Sequence, residues 1–400
     1  MSAREVVIVG AARTPIGRYG GSLRSVHPAA LGAAAARAAL ERAGVPPEAV
    51  GDIWIGHARQ AGSGPNPARQ VGRLAGIPDE TPAQTINKAC ASGLQAIASA
   101  AQAILSGETE VALAGGIESM SRMPYLLDAD DARWGRRMGH FPLVDAMYRD
   151  GFHCPLSNLV MGQTVELLAR EYGITREASD AYALESHRRA EAAIAAGRFD
   201  EEIVPVEVAD ARGRTSRVAR DEHPRPGTTL EALARLAPAF TDEEGRPGII
   251  TAGSASGITD GGAAVVLASE ARARALGCRP LARIAGWASA GVDPRRMGIG
   301  PVPAMRRLFA RTGLEVDDFD LVELNEAFAP QVLAVLRDVP IPCERLNVNG
   351  GAIALGHPIG CTGARIVVTL LYELLRRGGR RGLATLCASG GLGIALAIER

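Results

Sequence analysis

The chain has 400 residues, with 44 basic and 44 acidic side chains, so its formal charge is zero. That balance lacks the basic excess a nucleic-acid partner demands and the acid-rich bias of a disordered tail. With 47% apolar residues, and with domains usually running to about 100–200 residues, the length predicts two or three domains or one fold of duplicated halves.

Met1–Glu5 followed by Val6–Val9 is too short an apolar run for a signal peptide and reads as a buried first strand, Val6–Ala12. Ala29–Ala43 is Ala-rich and helical, stopped by Gly44 and Pro46-Pro47. Ile53–Gly56 and Ala83–Asn87 are strands, the latter leading into Cys90, and Ser92–Leu105 is a helix stopped by Gly107. Val111–Gly115 is a strand ending at the double glycine Gly115-Gly116. This alternation is the signature of α/β layers.

The texture changes near Ser121. From there to about Gly248 the chain is richer in Arg, Asp, Pro and His, with helices expected around Thr164–Tyr172 and Arg176–Ala196. It reads as an inserted, mostly irregular module, 121–248, of the kind that serves as a lid or binding surface. After Ile249 the alternation returns. Strands are expected at Ala264–Leu267, Leu281–Ala288, Leu321–Leu324, Gly382–Cys387 and Ile394–Ile398. Helices are expected at Glu270–Leu276, Met305–Arg311, Pro330–Arg337 and Thr362–Arg377. Ser92-Gly93, Gly107 and Gly115-Gly116 find an echo in Thr362-Gly363, Gly378-Gly379 and Gly390-Gly391, as two copies of one βαβ-like unit would. Chance similarity among Gly-bounded helices is the alternative, since Gly is the usual helix stop.

The six cysteines, at 90, 154, 278, 343, 361 and 387, show no C-x-x-C spacing, and neither they nor the histidines and carboxylates show metal-ligand spacing. No stretch approaches about 18 uncharged apolar residues, so no membrane span is expected, and the final Ala-Ile-Glu-Arg is no peroxisomal address. The expectation is a protein of the reducing cytoplasm with no metal site.

Cys90 lies in Asn87-Lys88-Ala89-Cys90-Ala91-Ser92-Gly93, between a strand end and a helix start, the setting of a nucleophile on a tight turn. A helix N-terminus favours thiolate over thiol, and thiolate is the nucleophile. A buried structural cysteine would fit the same turn. His357 sits in the glycine-crowded Gly350–Pro358, where backbone can approach a ligand closely. That segment contains no G-x-x-x-x-G-K-[ST] and so is not a phosphate loop. Cys387 leaves a strand into Ser389-Gly390-Gly391, at the sheet edge where α/β active sites lie. Asn325, after another strand, is either a polar group for a water or oxyanion or the N-cap of the following helix.

Taken together these segments resemble the thiolase family, whose members make or cleave 3-oxoacyl-CoA. The resemblance runs in order through nearly the whole chain: Ala12–Gly17, the Cys90 turn, Gly115–Ser121, Asp221–Pro226, Thr251–Gly257, Met297–Ala304, Asn325–Phe328, the His357 loop and the Cys387 turn. It implies a five-layered α-β-α-β-α fold from two pseudo-repeated halves (1–120 plus 249–272, and 273–400) with an inserted loop domain at 121–248. It implies that Cys90 takes the acyl group, that His357 removes its proton, and that Cys387 handles the α-proton of a second acyl-CoA. His357 and a water held by Asn325 would stabilise an enolate oxygen, and the backbone N–H groups of Cys90 and Ser389 would form the second oxyanion hole. Coenzyme A thioesters would be substrates rather than cofactors. The matching CoA-site positions are Arg225, Ala252 and Ser256, with Met161, Met297 and Phe328 about the thioester. A homo-oligomer, dimer or tetramer, is expected.

The implied activity is acetyl-CoA C-acetyltransferase, with a longer-chain 3-ketoacyl-CoA thiolase of fatty-acid β-oxidation as the alternative. Two departures bear on chain length. Ser389 stands where many members have Gly, and Val160-Met161-Gly162 stands where acetoacetyl-CoA-forming members often have His-Met-Gly. A decarboxylating ketoacyl synthase of the same fold would need a second histidine where this chain offers Cys387 and Asn325. A non-catalytic acyl-CoA binder would be expected to lack one of the four catalytic residues.

Overall fold

Strands and helices alternate through the first half of the computed structural model, which describes residues 5–210, 212–242 and 244–400. Met1–Arg4, part of the stretch judged too short for a signal peptide, lie outside the described residues. Strand β1 (Val6–Arg13) leads to α1 (Pro28–Ala43), β2 (Asp52–His57), α2 (Pro67–Leu74), β3 (Ala83–Ile86), α3 (Ser92–Ser106) and β4 (Val111–Ser119). The chain then departs for residues 120–258, which contain α4 (Met161–Glu171), α5 (Arg176–Ala195) and three two-stranded sheets. It returns as β5 (Thr259–Ser269).

The second half repeats the series as β6 (Ala282–Gly291), α6 (Pro301–Thr312), β7 (Leu321–Leu324), α7 (Ala329–Asp338), α8 (Ile359–Arg377), β8 (Arg381–Ala388) and β9 (Leu392–Glu399). A single parallel bridge, Val322 to Leu346, stands where the first half has β3. One sheet runs β7-β8-β9-β6-β1-β5-β4-β2-β3, with the short strand Gly17–Arg18 beside β5. Strand senses match about its middle: β1/β5 and β5/β4 are antiparallel and β4/β2 parallel, as β6/β9 and β9/β8 are antiparallel and β8/β7 parallel. The halves join where β1 meets β6 at Val7–Arg283 and Ile8–Ala282.

Duplication explains the layering. Helices α3 and α8 lie between the two half-sheets, where Leu94, Ile97, Ile366 and Leu370 share a core with Ile8, Val265, Leu386 and Leu396. Helices α1 and α2 cover one outer face, and α6 and α7 the other. The expected α-β-α-β-α order is what results. The central helices touch almost backbone to backbone. A Cβ on Gly93 would stand 2.8 Å from the Ala364 amide nitrogen, and one on Gly363 only 2.3 Å from that of Leu94. Neither glycine has a positive φ, so close approach, not backbone conformation, requires them.

The structure corrects three expectations. Strand β4 does not end at the double glycine but runs to Ser119, because Gly115 and Gly116 pair with Ala264 and Ala263 of β5. Helix α2 was not anticipated; it opens at Asn66-Pro67, whose Asn66 Oδ1 accepts from Arg69 N. The 18-residue stretch Ala89–Ser106 has mean hydropathy 1.2, enough by length and composition to span a membrane. Its helix α3 instead packs in the central layer through Leu94, Ile97, Ala101 and Ile104, with a less buried polar stripe at Gln95, Ser99 and Gln102.

Candidate active site

Strand β3 ends at Ile86, and a five-residue elbow, Asn87 to Ala91, carries the chain to α3. Ala89 sits there at φ 48°, in the left-handed region that an L residue with a Cβ adopts only at a cost. Polar side chains hold it. Asn87 Oδ1 accepts from Ala89 N (3.0 Å), Ser92 Oγ accepts from Lys88 N (2.9 Å), and Ser92 Oγ donates to Ala89 O (2.6 Å). Lys88 is turned away from the elbow and donates to Gln95 (2.8 Å) and Ser289 (2.6 Å). Cys90 is thereby presented to a cavity of about 330 Å³.

Burial pushes the Cys90 thiol up. The Arg59 guanidinium and the backbone N–H groups of Ser389 and of Cys90 itself pull the other way. The helix start therefore does not by itself leave a resting thiolate, contrary to the simple dipole expectation. Desolvation of the sulfur is the larger effect. The N–H groups expected to form an oxyanion hole do converge on this sulfur. Ser389 is unstrained there, because the left-handed positions fall on Gly390 (φ 84°) and Gly391 (φ 79°).

His357 arrives from the structurally equivalent place in the second half, just before α8. Gly356, at φ 100°, lies so close to Thr259 that a Cβ would meet its Cγ2 at 2.4 Å. His357 N donates to Gly257 O (3.0 Å), fixing the loop. Thr362 Oγ1 donates its one proton to Pro358 O (3.0 Å) and lies 2.7 Å from His357 Nδ1. Nδ1 must then be the protonated nitrogen, donating to Thr362. Nε2 is left with a free lone pair, has no partner among the described residues and lies at the cavity. Burial, with the charges of Arg365 and Arg59, lowers the His357 pKa to about 3, so the ring is neutral at ordinary pH.

Cys387, near the end of β8, is buried in an apolar cluster with Val165, Ile250, Met297 and Ala327. Its thiol is pushed up by burial and then by neighbouring Cys90. Asn325 follows β7 and is held by Asn325 N donating to Thr385 O (3.0 Å). It is not a helix cap, since α7 is capped at Phe328. Its buried side-chain oxygen and nitrogen both lack partners among the described residues, a state that costs about 1–3 kcal/mol per group unless a water or ligand is bound. It is not one of the residues lining the cavity. The adjacent Glu326 is structural. It accepts from Tyr182 (2.9 Å), Ser186 (2.7 Å), Asn347 (3.0 Å) and Ile353 N (3.1 Å), fastening α5 to the glycine-rich loop.

Ser256, Met161, Met297 and Phe328 line the cavity as expected. Arg225 and Ala252 do not: both are exposed outside it. Arg225 follows a segment whose inward members are already committed, Asp221 to Arg13 (2.8 Å) and His223 Nδ1 to Ala354 O (2.8 Å). Sequence reasoning missed Arg59, Tyr148, Phe152 and Phe240. The signal available was rarity: of seven Phe in the chain, Phe152, Phe240 and Phe328 all line this one cavity. Among the described residues no group of three or more His, Cys, Asp or Glu is placed to hold a metal ion.

Family models described as the thiolase N-terminal domain and the thiolase C-terminal domain match residues 6–271 and 278–400. Acetyl-CoA acetyltransferase of Cupriavidus necator is 51% identical over 396 residues, covering 99% of each chain. An acetyl-CoA acetyltransferase of Escherichia coli K12 is 50% identical over 397 residues, again covering 99% of each. Among solved structures, Bacillus anthracis acetyl-CoA acetyltransferase has a TM-score of 0.95 at 46% identity over 99% of each chain. Human mitochondrial 3-ketoacyl-CoA thiolase has 0.94 at 44%, covering 100% of this chain and 99% of that one.

Proposed function

The chain belongs to the thiolase family, and from that premise we propose that it is an acetyl-CoA C-acetyltransferase, condensing two acetyl-CoA to acetoacetyl-CoA and CoA and catalysing the reverse thiolysis. The observation that carries this reading is the meeting of Cys90, His357 and Cys387 at one mostly apolar cavity. The names of the relatives at about half identity support it.

Each group's state suits one step. His357 Nε2, bare and neutral, takes the Cys90 proton as sulfur attacks the acetyl-CoA carbonyl. The N–H groups of Cys90 and Ser389 stabilise the oxyanion. As the thioester collapses, the departing CoA sulfur takes the Cys387 proton, leaving acetyl-Cys90, CoA and a Cys387 thiolate. That thiolate, made strongly basic by burial, removes the α-proton of a second acetyl-CoA. The His357 Nε2–H, with a water on Asn325, stabilises the enolate oxygen. The enolate carbon attacks acetyl-Cys90, and Cys90 leaves and recovers its proton from His357. Protons and electrons balance over the cycle, so no redox cofactor is required. The imidazolium, unfavourable in the resting site, forms only when an anion is made beside it.

The same reading covers finer points. The enzyme works without a resident cofactor on CoA thioesters, supported by the redox-neutral cycle. It works in a reducing cytoplasm, supported by six free cysteines. It works as a homo-oligomer, supported by the half-exposed edge strand β3 and the exposed Trp134, Met138 and Leu143 of the insertion. A place in fatty-acid metabolism follows from the substrate. Steady-state thiolysis of acetoacetyl-CoA should give parallel double-reciprocal lines; intersecting lines would reject the acyl-enzyme. Likeness to 3-ketoacyl-CoA thiolase favours a second reading on longer chains, and a turnover series over 3-oxoacyl-CoA lengths decides between the two.

A further inference from the structure

Arg59 is a charged side chain that the chemistry above does not use. It is 5% exposed and lines the cavity, and its Nε has no hydrogen-bond partner among the described residues. Among the described residues no carboxylate pairs with it. Glu118, bonded to the Arg59 backbone, is spent elsewhere: it accepts from Arg59's own backbone N (3.2 Å) and from Gly360 N (2.8 Å) and lies 3.1 Å from His57 Nε2. The guanidinium rests against Gly151, where a Cβ would stand 2.7 Å from Nε and 3.1 Å from Nη2. Gly151 has no positive φ, so what glycine provides there is room for this cation. The insertion is thus shaped around Arg59.

A buried guanidinium without an anion is unfavourable, and groups that persist in that state usually wait for a ligand. The Cys90 thiolate meets the need only briefly, because acylation turns it into a neutral thioester. Arg59 lies toward the Cys90 end of the cavity: Ala58 belongs to the cluster packed on Cys90 and Phe152, while Phe240, Met297 and Phe328 form a separate cluster around Cys387. An anion on the acyl group, rather than on CoA, is therefore what the site would hold against Arg59 in the acyl-enzyme.

We infer that Arg59 and Gly151 form an acyl-carboxylate subsite, so that the chain accepts acyl-CoA substrates whose acyl group ends in a carboxylate, with Arg59 pairing to it. This rests on the thiolase reading of Cys90 and names a substrate class for it.

The test compares 3-oxoadipyl-CoA with 3-oxohexanoyl-CoA, which have the same chain length and differ in terminal carboxylate against methyl. Thiolysis of each is followed in wild type, Arg59→Met and Arg59→Lys. Wild type should favour the carboxylate by about tenfold or more in kcat/KM, the size expected of one charge-assisted hydrogen bond. Arg59→Met should bring the ratio below one, and Arg59→Lys should keep part of the preference. As an arm that needs no variant, succinyl-CoA should inhibit wild type more strongly than butyryl-CoA. A wild-type preference for the methyl terminus, equal inhibition, or an Arg59→Met that slows both substrates by one factor would overturn the subsite while leaving the thiolase reading intact. No thiolysis of either substrate or of acetoacetyl-CoA would overturn both.

Discussion

The starts of α3 and α8 occupy equivalent places in the two halves, yet they are built in opposite ways. Before α3 the elbow is tight, strained at the non-glycine Ala89, and braced by Asn87 and Ser92. Before α8 the loop is glycine-cushioned, and its histidine is braced by Thr362 through one ring nitrogen. A nucleophile must be held at one point, and a proton carrier must be held in one tautomer. Duplication placed both positions beside one cavity, and divergence gave one a thiol and the other an imidazole. The glycine contacts between α3 and α8 bring these two starts together.

The comparison breaks most completely at the thiol. Cys90→Ala should lower turnover by about 10⁴-fold or more and abolish acyl-enzyme, by analogy with other nucleophile deletions. Activity within tenfold of wild type would show the two starts are not divided in this way. Cys387→Ala should slow condensation by about 10²–10⁴-fold, the usual range for a lost acid–base group, while Cys90 is still acylated, more slowly, the departing CoA then taking its proton from the His357 imidazolium.

Smaller effects sharpen the comparison. Gly363→Ala should destabilise the fold by about 1–3 kcal/mol, read from a denaturant midpoint, because its Cβ meets the Leu94 backbone. No change would mean the central helices can slide apart. Thr362→Val removes the acceptor for His357 Nδ1–H and should slow acylation of Cys90 by about tenfold to a hundredfold, given about 1–3 kcal/mol for an orphaned buried donor. Thr362→Ser should restore it.

The pH dependence has a defined sign. With the His357 pKa lowered to about 3, the neutral base is present above that value, so acylation should not fall between pH 7 and 5 through His357. With the Cys90 thiol raised, iodoacetamide alkylation of the free enzyme should keep climbing through the ordinary thiol range. A mid-range His inflection would show that burial and the Arg365 and Arg59 charges do not keep the ring neutral.

Most of the frame was legible in the sequence because strands and helices there are short, periodic and glycine-bounded. The echo between Ser92-Gly93 and Thr362-Gly363 marked the two central helices correctly. It could not show that the paired β4 glycines continue a strand, since that depends on β5, some 140 residues later. The turns of Cys90, His357 and Cys387 drew attention in the sequence, the resemblance supplied their roles, and the structure brings the three to one cavity. Asn325 was ambiguous because cap and orphan look alike until the helix start is seen at Ala329. Arg59 was invisible among 43 other arginines and lysine together: its burial at the cavity with no carboxylate paired to it among the described residues is a property of the fold.

One measurement bears most directly on the division of labour. The Cys387→Ala variant is mixed with acetyl-CoA, quenched and mapped by peptide mass spectrometry. A single acetyl group on the peptide carrying Cys90, formed without acetoacetyl-CoA, is the predicted result. An unmodified Cys90, or acetyl carried by another residue, would contradict it.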